Sequence, residues 1–191
     1  MYDVDEKDRV VRLVDVPQSD FGAPMPLVFS DEGRIVLAYY GNECSPNWND
    51  FPRIVGQVGG SEPVALLRFI ACNSYMFGVP NDEALAGHPL ASRGLETYGA
   101  FRIEDSSWIR RLERMNSVHP LHKPESYQGM QHLIFTFHDT TFECICETFD
   151  VRTAWGSIGA LTETMLKLLF SDRTTNPPPA RPLGEIIGHS G

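Results

Sequence analysis

No stretch of this 191-residue chain approaches the run of about 18 apolar residues that a membrane-spanning helix requires. No stripe of Lys and Arg interrupts its acidity either. With 25 Asp and Glu against 16 Lys and Arg the net charge is −9, which repels nucleic-acid phosphates and anionic membranes. The sequence also lacks a Gly-rich phosphate loop, a dinucleotide-binding glycine fingerprint, a paired C-x-x-C and a G-x-S-x-G serine elbow. Cysteine is scarce. Cys44, Cys72, Cys144 and Cys146 are too dispersed for a disulfide scaffold, and the charged segment Met1 to Arg9 has no apolar core that would direct export. These absences point to a cytoplasmic protein that contacts neither nucleic acid nor membrane. With no internal repeat and no dividing linker, the chain reads as one domain.

What remains is an ordinary globular composition, 42% hydrophobic and 21% charged. A chain of this length buries roughly 70% of the surface its unfolded form exposes, so it needs no metal or disulfide staple. The expected organisation is a flexible acidic tail at 1–9, one α+β domain at 10–171 and a Pro-rich flexible tail at 172–191. The last carries Pro177-Pro178-Pro179 and a Pro179-Ala-Arg-Pro182 spacing of the kind polyproline ligands use.

Two β-type runs, Pro26 to Ser30 and Arg34 to Tyr40, flank Asp31-Glu32-Gly33. A three-residue loop ending in Gly suits a type I turn with a G1 bulge, because glycine takes positive φ cheaply. Residues 41–63 are rich in Pro, Gly and Asn and read as loop around a short strand at Arg53 to Val58. Val64 to Cys72 is almost wholly apolar, as in a strand buried on both faces, with a buried helix as the competing reading. Tyr98 to Glu104 alternates as a strand. The period then changes. Trp108, Ile109, Leu112 and Met115 fall on one face of a helix at 107–117, with Asp105, Ser106 or Ser107 to cap it. A second helix is predicted at 157–170, with Ile158, Leu161, Met165, Leu168 and Leu169 as its apolar stripe. These elements predict a single, mainly antiparallel, curled sheet of about five to seven strands with both helices packed on one face.

The runs His132 to His138 and Phe142 to Phe149 are expected to pair about Asp139-Thr140. The register that keeps phenylalanines and thiols together sets Phe137 against Phe142, Phe135 against Cys144 and Leu133 against Cys146. A one-residue slip would mix the faces and bury Glu143 or Glu147. The other face then carries His132 opposite Glu147 and Thr136 opposite Glu143, with His138 at the turn, and looks toward solvent.

His132 and Glu147 form one candidate acid–base pair, since a neighbouring carboxylate raises an imidazole pKa toward neutrality. A wet cross-strand ion pair is the alternative. His88 is a third candidate catalytic residue. It follows a short turn that Asn81 or Asp82 can cap and Gly87 can end, and it is fixed by Pro89 with Glu83 and Arg93 nearby. His119, His122 and Glu125 are the candidate ligands for a zinc or iron ion, although the intervening prolines place them in a loop without helical i, i+4 spacing. Cys144 and Cys146 share a strand face about 6.6 Å apart, too far for a bond, and read as small core residues.

Three stretches, Asn81-Asp-Glu-Ala-Leu-Ala-Gly-His-Pro-Leu90, Ser106-Ser-Trp-Ile109 through His119-Pro120, and His132 to Cys144, resemble a widespread bacterial protein family of similar length. The resemblance covers about residues 64 to 150. It implies a bacterial cytoplasmic protein and brings no activity with it. Three functional readings stand. The first is a binding or regulatory protein whose acidic surface engages a basic protein partner or whose sheet holds a small ligand. The second is a small enzyme using histidine and carboxylate, with or without a divalent metal. The third is a subunit of a larger assembly. An enzyme should gather several of these histidines in one place with at least one shifted pKa.

Overall fold

The computed structural model describes residues 2–21, 26–42 and 62–171. Along these the chain forms β1 (Arg9–Arg12), β2 (Leu27–Ser30), β3 (Arg34–Tyr40), β4 (Glu62–Ile70), β5 (Ser74–Gly78) and β6 (Ala100–Glu104). Helix α1 (Ser107–Asn116) follows, then β7 (Gln131–Thr136), β8 (Thr141–Cys146), β9 (Thr148–Gly156) and α2 (Thr162–Phe170). All strand pairs are antiparallel. The α+β class with antiparallel strands and two principal helices is as the sequence predicts, but the strands divide between two sheets. One has the order β1-β6-β7-β8-β5 and the other β2-β3-β4-β9.

Side-chain alternation explains the layering. On β3 and β4, Ile35, Leu37, Tyr39, Ala65, Leu67 and Phe69 face Leu133, Phe135, Phe142, Cys144 and Cys146 of the other sheet in one inter-sheet core. Their neighbours Val36, Ala38, Tyr40, Val64 and Leu66 turn the other way, onto Met165, Leu168 and Leu169 of α2. Val64 to Ile70 is thus buried on both faces, as its composition predicts. The five-stranded sheet likewise has a second apolar face, where Phe101, Ile103, Ile134 and Ile145 meet Trp108 of α1, Leu85, Leu90, Leu95 and Tyr2. Two sheets each apolar on both faces need a cover apiece, so the helices take opposite outer faces rather than sharing one.

Several details depart from the sequence-based expectation. The hairpin closes two residues tighter: Leu133 pairs with Cys144, Phe135 with Phe142 and His132 with Ile145. Phe137 leaves the ladder to close the turn, its N–H donating to the Thr140 carbonyl at 2.9 Å. A two-residue shift keeps every side chain on its predicted face, so the pattern alone fits both registers. The run read as one strand through Phe149 breaks at Glu147, where the chain passes from one sheet to the other and the Glu147 N–H reaches the Ile70 carbonyl at 3.2 Å. Residues 2–8, expected as a loose tail, pack onto the fold and bury Tyr2 and Asp8. The strand proposed at Arg53 to Val58 and the Pro-rich tail at 172–191 lie outside the described residues.

Arg68 sits on the α2 side of β4 and is 5% exposed. Its guanidinium donates to the Ser171 hydroxyl at 2.7 Å and the Ser171 carbonyl at 3.0 Å, just past the end of α2. A cation at a helix C-terminus is favoured by the helix dipole, and here it ties the helix to the sheet. Among the described residues, no helix is long and apolar enough to cross a membrane.

Candidate functional site

The outer face of the β7–β8 hairpin carries His132, Ile134 and Thr136 on one strand and Thr141, Glu143 and Ile145 on the other. The sequence suggests a wet face. The structure covers it. Tyr2 stacks on Trp108 at the start of α1, and both rings set their planes edge-on to His132, 5.3 and 5.2 Å away between centroids. The turn at 85–95 closes the other side and brings in His88.

With Ile145 opposite His132, the carboxylate that reaches His132 is the diagonal one, Glu143. Glu143 Oε2 lies 3.2 Å from His132 Nε2 and 2.8 Å from the Tyr2 hydroxyl, while Oε1 lies 2.9 Å from His88 Nε2. On the far side of His132, Nδ1 is 2.8 Å from the Ser106 hydroxyl. The Leu90 N–H donates to His88 Nδ1 at 3.1 Å. One proton arrangement satisfies every group: both imidazoles are neutral and protonated on Nε2, Tyr2 donates to Glu143, and Ser106 donates to His132 Nδ1 while its oxygen accepts the Ile109 N–H at 3.3 Å.

Burial taken alone would raise the Glu143 carboxyl, but hydrogen bonds from His132 and His88 outweigh it and lower its pKa to about 2. Glu143 is therefore an anion held by three donors. Burial dominates for His132 and lowers it below the ordinary histidine value, against the opposing pull of Glu143. The Tyr2 phenol is driven upward, first by burial and then by Glu143. His88, His132 and Glu143 are at most 3% exposed. The cluster comes nearest the surface at Ser106, itself only 4% exposed, which lies at the floor of a groove of about 320 Å³ lined also by Ile109, Tyr127 and Met130.

Ser106 has a distinctive backbone setting. Strand β6 ends at Glu104, Asp105 takes φ +53°, and Ser106 caps α1, which begins at the next residue. A non-glycine residue in the left-handed region costs energy, and such strain recurs at functional sites. The serine is thereby presented at a sharp strand-to-helix corner.

Of the residues singled out in the sequence, His132 and His88 come together. Glu147 does not join them. It is exposed at the crossover between sheets, because the tighter register replaces it with Ile145 opposite His132. His119 and His122 with Glu125 do not gather around a common point. His122 Nε2 is 2.7 Å from Glu113 of α1, exposed His119 accepts the Leu121 N–H at 3.1 Å, and Glu125 is exposed. Among the described residues, no group of three or more His, Cys, Asp or Glu side chains is placed to hold a metal ion. Cys144 and Cys146 are fully buried in the inter-sheet core, as predicted.

A second cluster lies at the hairpin turn, with His138 exposed and Asp82 and Tyr98 half-buried. Asp82 Oδ2 accepts the Tyr98 hydroxyl at 2.5 Å and His138 Nδ1 at 2.9 Å. The Tyr98 hydrogen bond is the main cause lowering the Asp82 carboxyl, with His138 adding to it, and Asp82 in turn raises His138. Phe21 packs edge-on against Tyr98 with 4.8 Å between centroids.

Glu143 and Ser106 are the residues that sequence reasoning missed. Glu143 was legible as part of the polar face, but only the register assigns it to His132. Ser106 was legible as a helix cap and nothing more. No family model matches the chain, and no match is found among the curated proteins or the solved structures.

Proposed function

We propose that the chain is a small enzyme that moves protons with an imidazole–carboxylate pair, His132 acting as base and Glu143 holding it in place. The observation that carries this reading is the opposed ligation of His132: a carboxylate on Nε2 at 3.2 Å and a hydroxyl on Nδ1 at 2.8 Å. A carboxylate on one nitrogen fixes the tautomer and leaves the other nitrogen's lone pair aimed at the proton to be removed. His88 supports the same reading, because it holds the second oxygen of Glu143 and stops the carboxylate turning. Three separate segments contribute, so the arrangement is a product of the tertiary fold.

The test is turnover of a chromogenic ester, 4-nitrophenyl acetate, by the full chain. The wild type is expected to exceed the His132→Gln variant by roughly 100-fold or more. Equal rates, with both proteins shown by melting to be folded, would remove the acid–base role.

A binding role is the second reading. It is supported by the partly exposed cluster of Asp82, Tyr98 and His138, with Phe21 as a ring beside it and Asp139 Oδ1 4.0 Å from His138 Nε2. Carboxylates beside aromatic faces suit a basic side chain of a protein partner. Titration with an oligolysine peptide is expected to show salt-dependent binding that Asp82→Asn weakens.

A further inference from the structure

Resting on the acid–base reading above, we infer that Ser106 is a nucleophile and that Ser106, His132 and Glu143 form an acyl-transfer site opening on the groove beside α1. Three independent observations converge on it. Ser106 Oγ is 2.8 Å from His132 Nδ1, within the range a nucleophile and its base require. His132 is in turn oriented by Glu143, which completes the chain of nucleophile, base and carboxylate in unbroken hydrogen bonds. Finally, the strained residue Asp105 places Ser106 at a strand-to-helix corner at the positive end of α1, which favours the alkoxide character Oγ gains as it gives up its proton. The Ile109 N–H already donates to that oxygen at 3.3 Å.

The order of roles along the imidazole is set by the fold. The Oγ proton passes to Nδ1 as Oγ attacks the carbonyl carbon of an ester, and the Nε2 proton stays on the hydrogen bond to Glu143. The tetrahedral oxyanion collapses, the bond from carbon to the leaving oxygen breaks, and the leaving alcohol takes the proton from Nδ1. Water then attacks the acyl-Ser106 ester and gives one proton to Nδ1. Collapse returns that proton to Ser106 Oγ and releases the carboxylic acid. The sum is ester plus water to acid plus alcohol. His88 and Tyr2 touch Glu143 rather than the reacting atoms, so they are positioning residues.

The groove limits the substrate. At about 320 Å³ it is at the small end for ligand sites, and its lining mixes Ile109, Met130 and Tyr127 with the charged Arg102, Glu104 and Arg110. An ester or thioester of a short acyl group is the class that fits.

The test uses a fluorophosphonate probe on the full chain, followed by mass spectrometry of the labelled peptide. Label on Ser106, lost in Ser106→Ala and retained in Ser117→Ala, is the expected result. No label on the folded wild type, or label that persists at another serine in Ser106→Ala, overturns the inference. Ester turnover separates the two proposals. Turnover that needs His132 but survives Ser106→Ala leaves the acid–base reading standing and removes the nucleophile. Turnover that needs neither removes both. Melting of Ser106→Ala confirms that its loss of label is not loss of fold.

Discussion

Glu143 carries a full negative charge at 3% exposure, tolerated because Tyr2, His132 and His88 each donate to it. Removing one member of a buried charged network leaves the others unsatisfied. Glu143→Gln puts an amide NH₂ among three donors and is expected to destabilise the protein by about 2–4 kcal/mol, read from urea unfolding. The same residues set the response to acid. The Glu143 carboxyl is lowered from 4.5 to about 2 on folding, so its stabilisation is complete above 4.5 and lost as pH falls toward 2. His132 is lowered from 6.5, so the unfolded chain takes up this proton first and stability falls as pH drops below 6.5. Both groups therefore act in one direction. Unfolding free energy is expected to fall steadily from pH 7 downward, and Glu143→Gln should flatten the part of that curve between 4.5 and 2. His138, raised by Asp82, contributes with the opposite sign and is solvent-exposed.

At the level of elements, two connections matter most. Ser106 accepts the Ile109 N–H at the start of α1, so Ser106→Ala should cost about 1 kcal/mol in cap energy whatever its chemistry. At the other helix, Arg68→Ala removes two hydrogen bonds to Ser171 and should cost about 2 kcal/mol, with faster amide exchange in the last turn of α2 as the local readout. Elements of this kind were largely legible beforehand. The 26–40 hairpin, the buried strand through Val64, helix α1 and the β7–β8 hairpin follow from periodicity, because local side-chain pattern suffices to define them. The turns do not follow: Gly33 lacks the positive φ expected of a G1 bulge, and the β7–β8 turn is two residues tighter than expected. Three strands escaped. In β1 (Arg-Val-Val-Arg) the apolar signal is only two residues long, and β5 is an edge of five residues. β9 was hidden because Phe142 to Phe149 alternates smoothly across Glu147, and no residue there announces that the chain changes sheets.

For the molecule as a whole, the inter-sheet core is the principal source of stability. Phe135 is 1% exposed and its ring lies within 6.1 Å of those of Tyr39, Phe69 and Phe142. Phe135→Ala should therefore cost about 3–5 kcal/mol, which calorimetry would show as a large drop in Tm. The division into two sheets was not legible, because antiparallel alternation looks the same whether a strand's partner lies in one curled sheet or in a stacked second one. The functional cluster was half legible for a related reason: His88 and His132 stood out as residues, while the carboxylate between them depends on register and on what covers the face. That cover has a consequence for the order of folding. Within the network, His132 and Glu143 are 11 positions apart, His88 and Glu143 are 55, and Tyr2 and Glu143 are 141. Closing a longer loop costs more entropy, so the hairpin contact is expected to form first and the tyrosine to dock last, an order that φ-values at His132 and Tyr2 would read. Run backwards, the same hierarchy makes the Tyr2 cover the first piece expected to open, which faster amide exchange at residues 2–8 than in β7 and β8 would show.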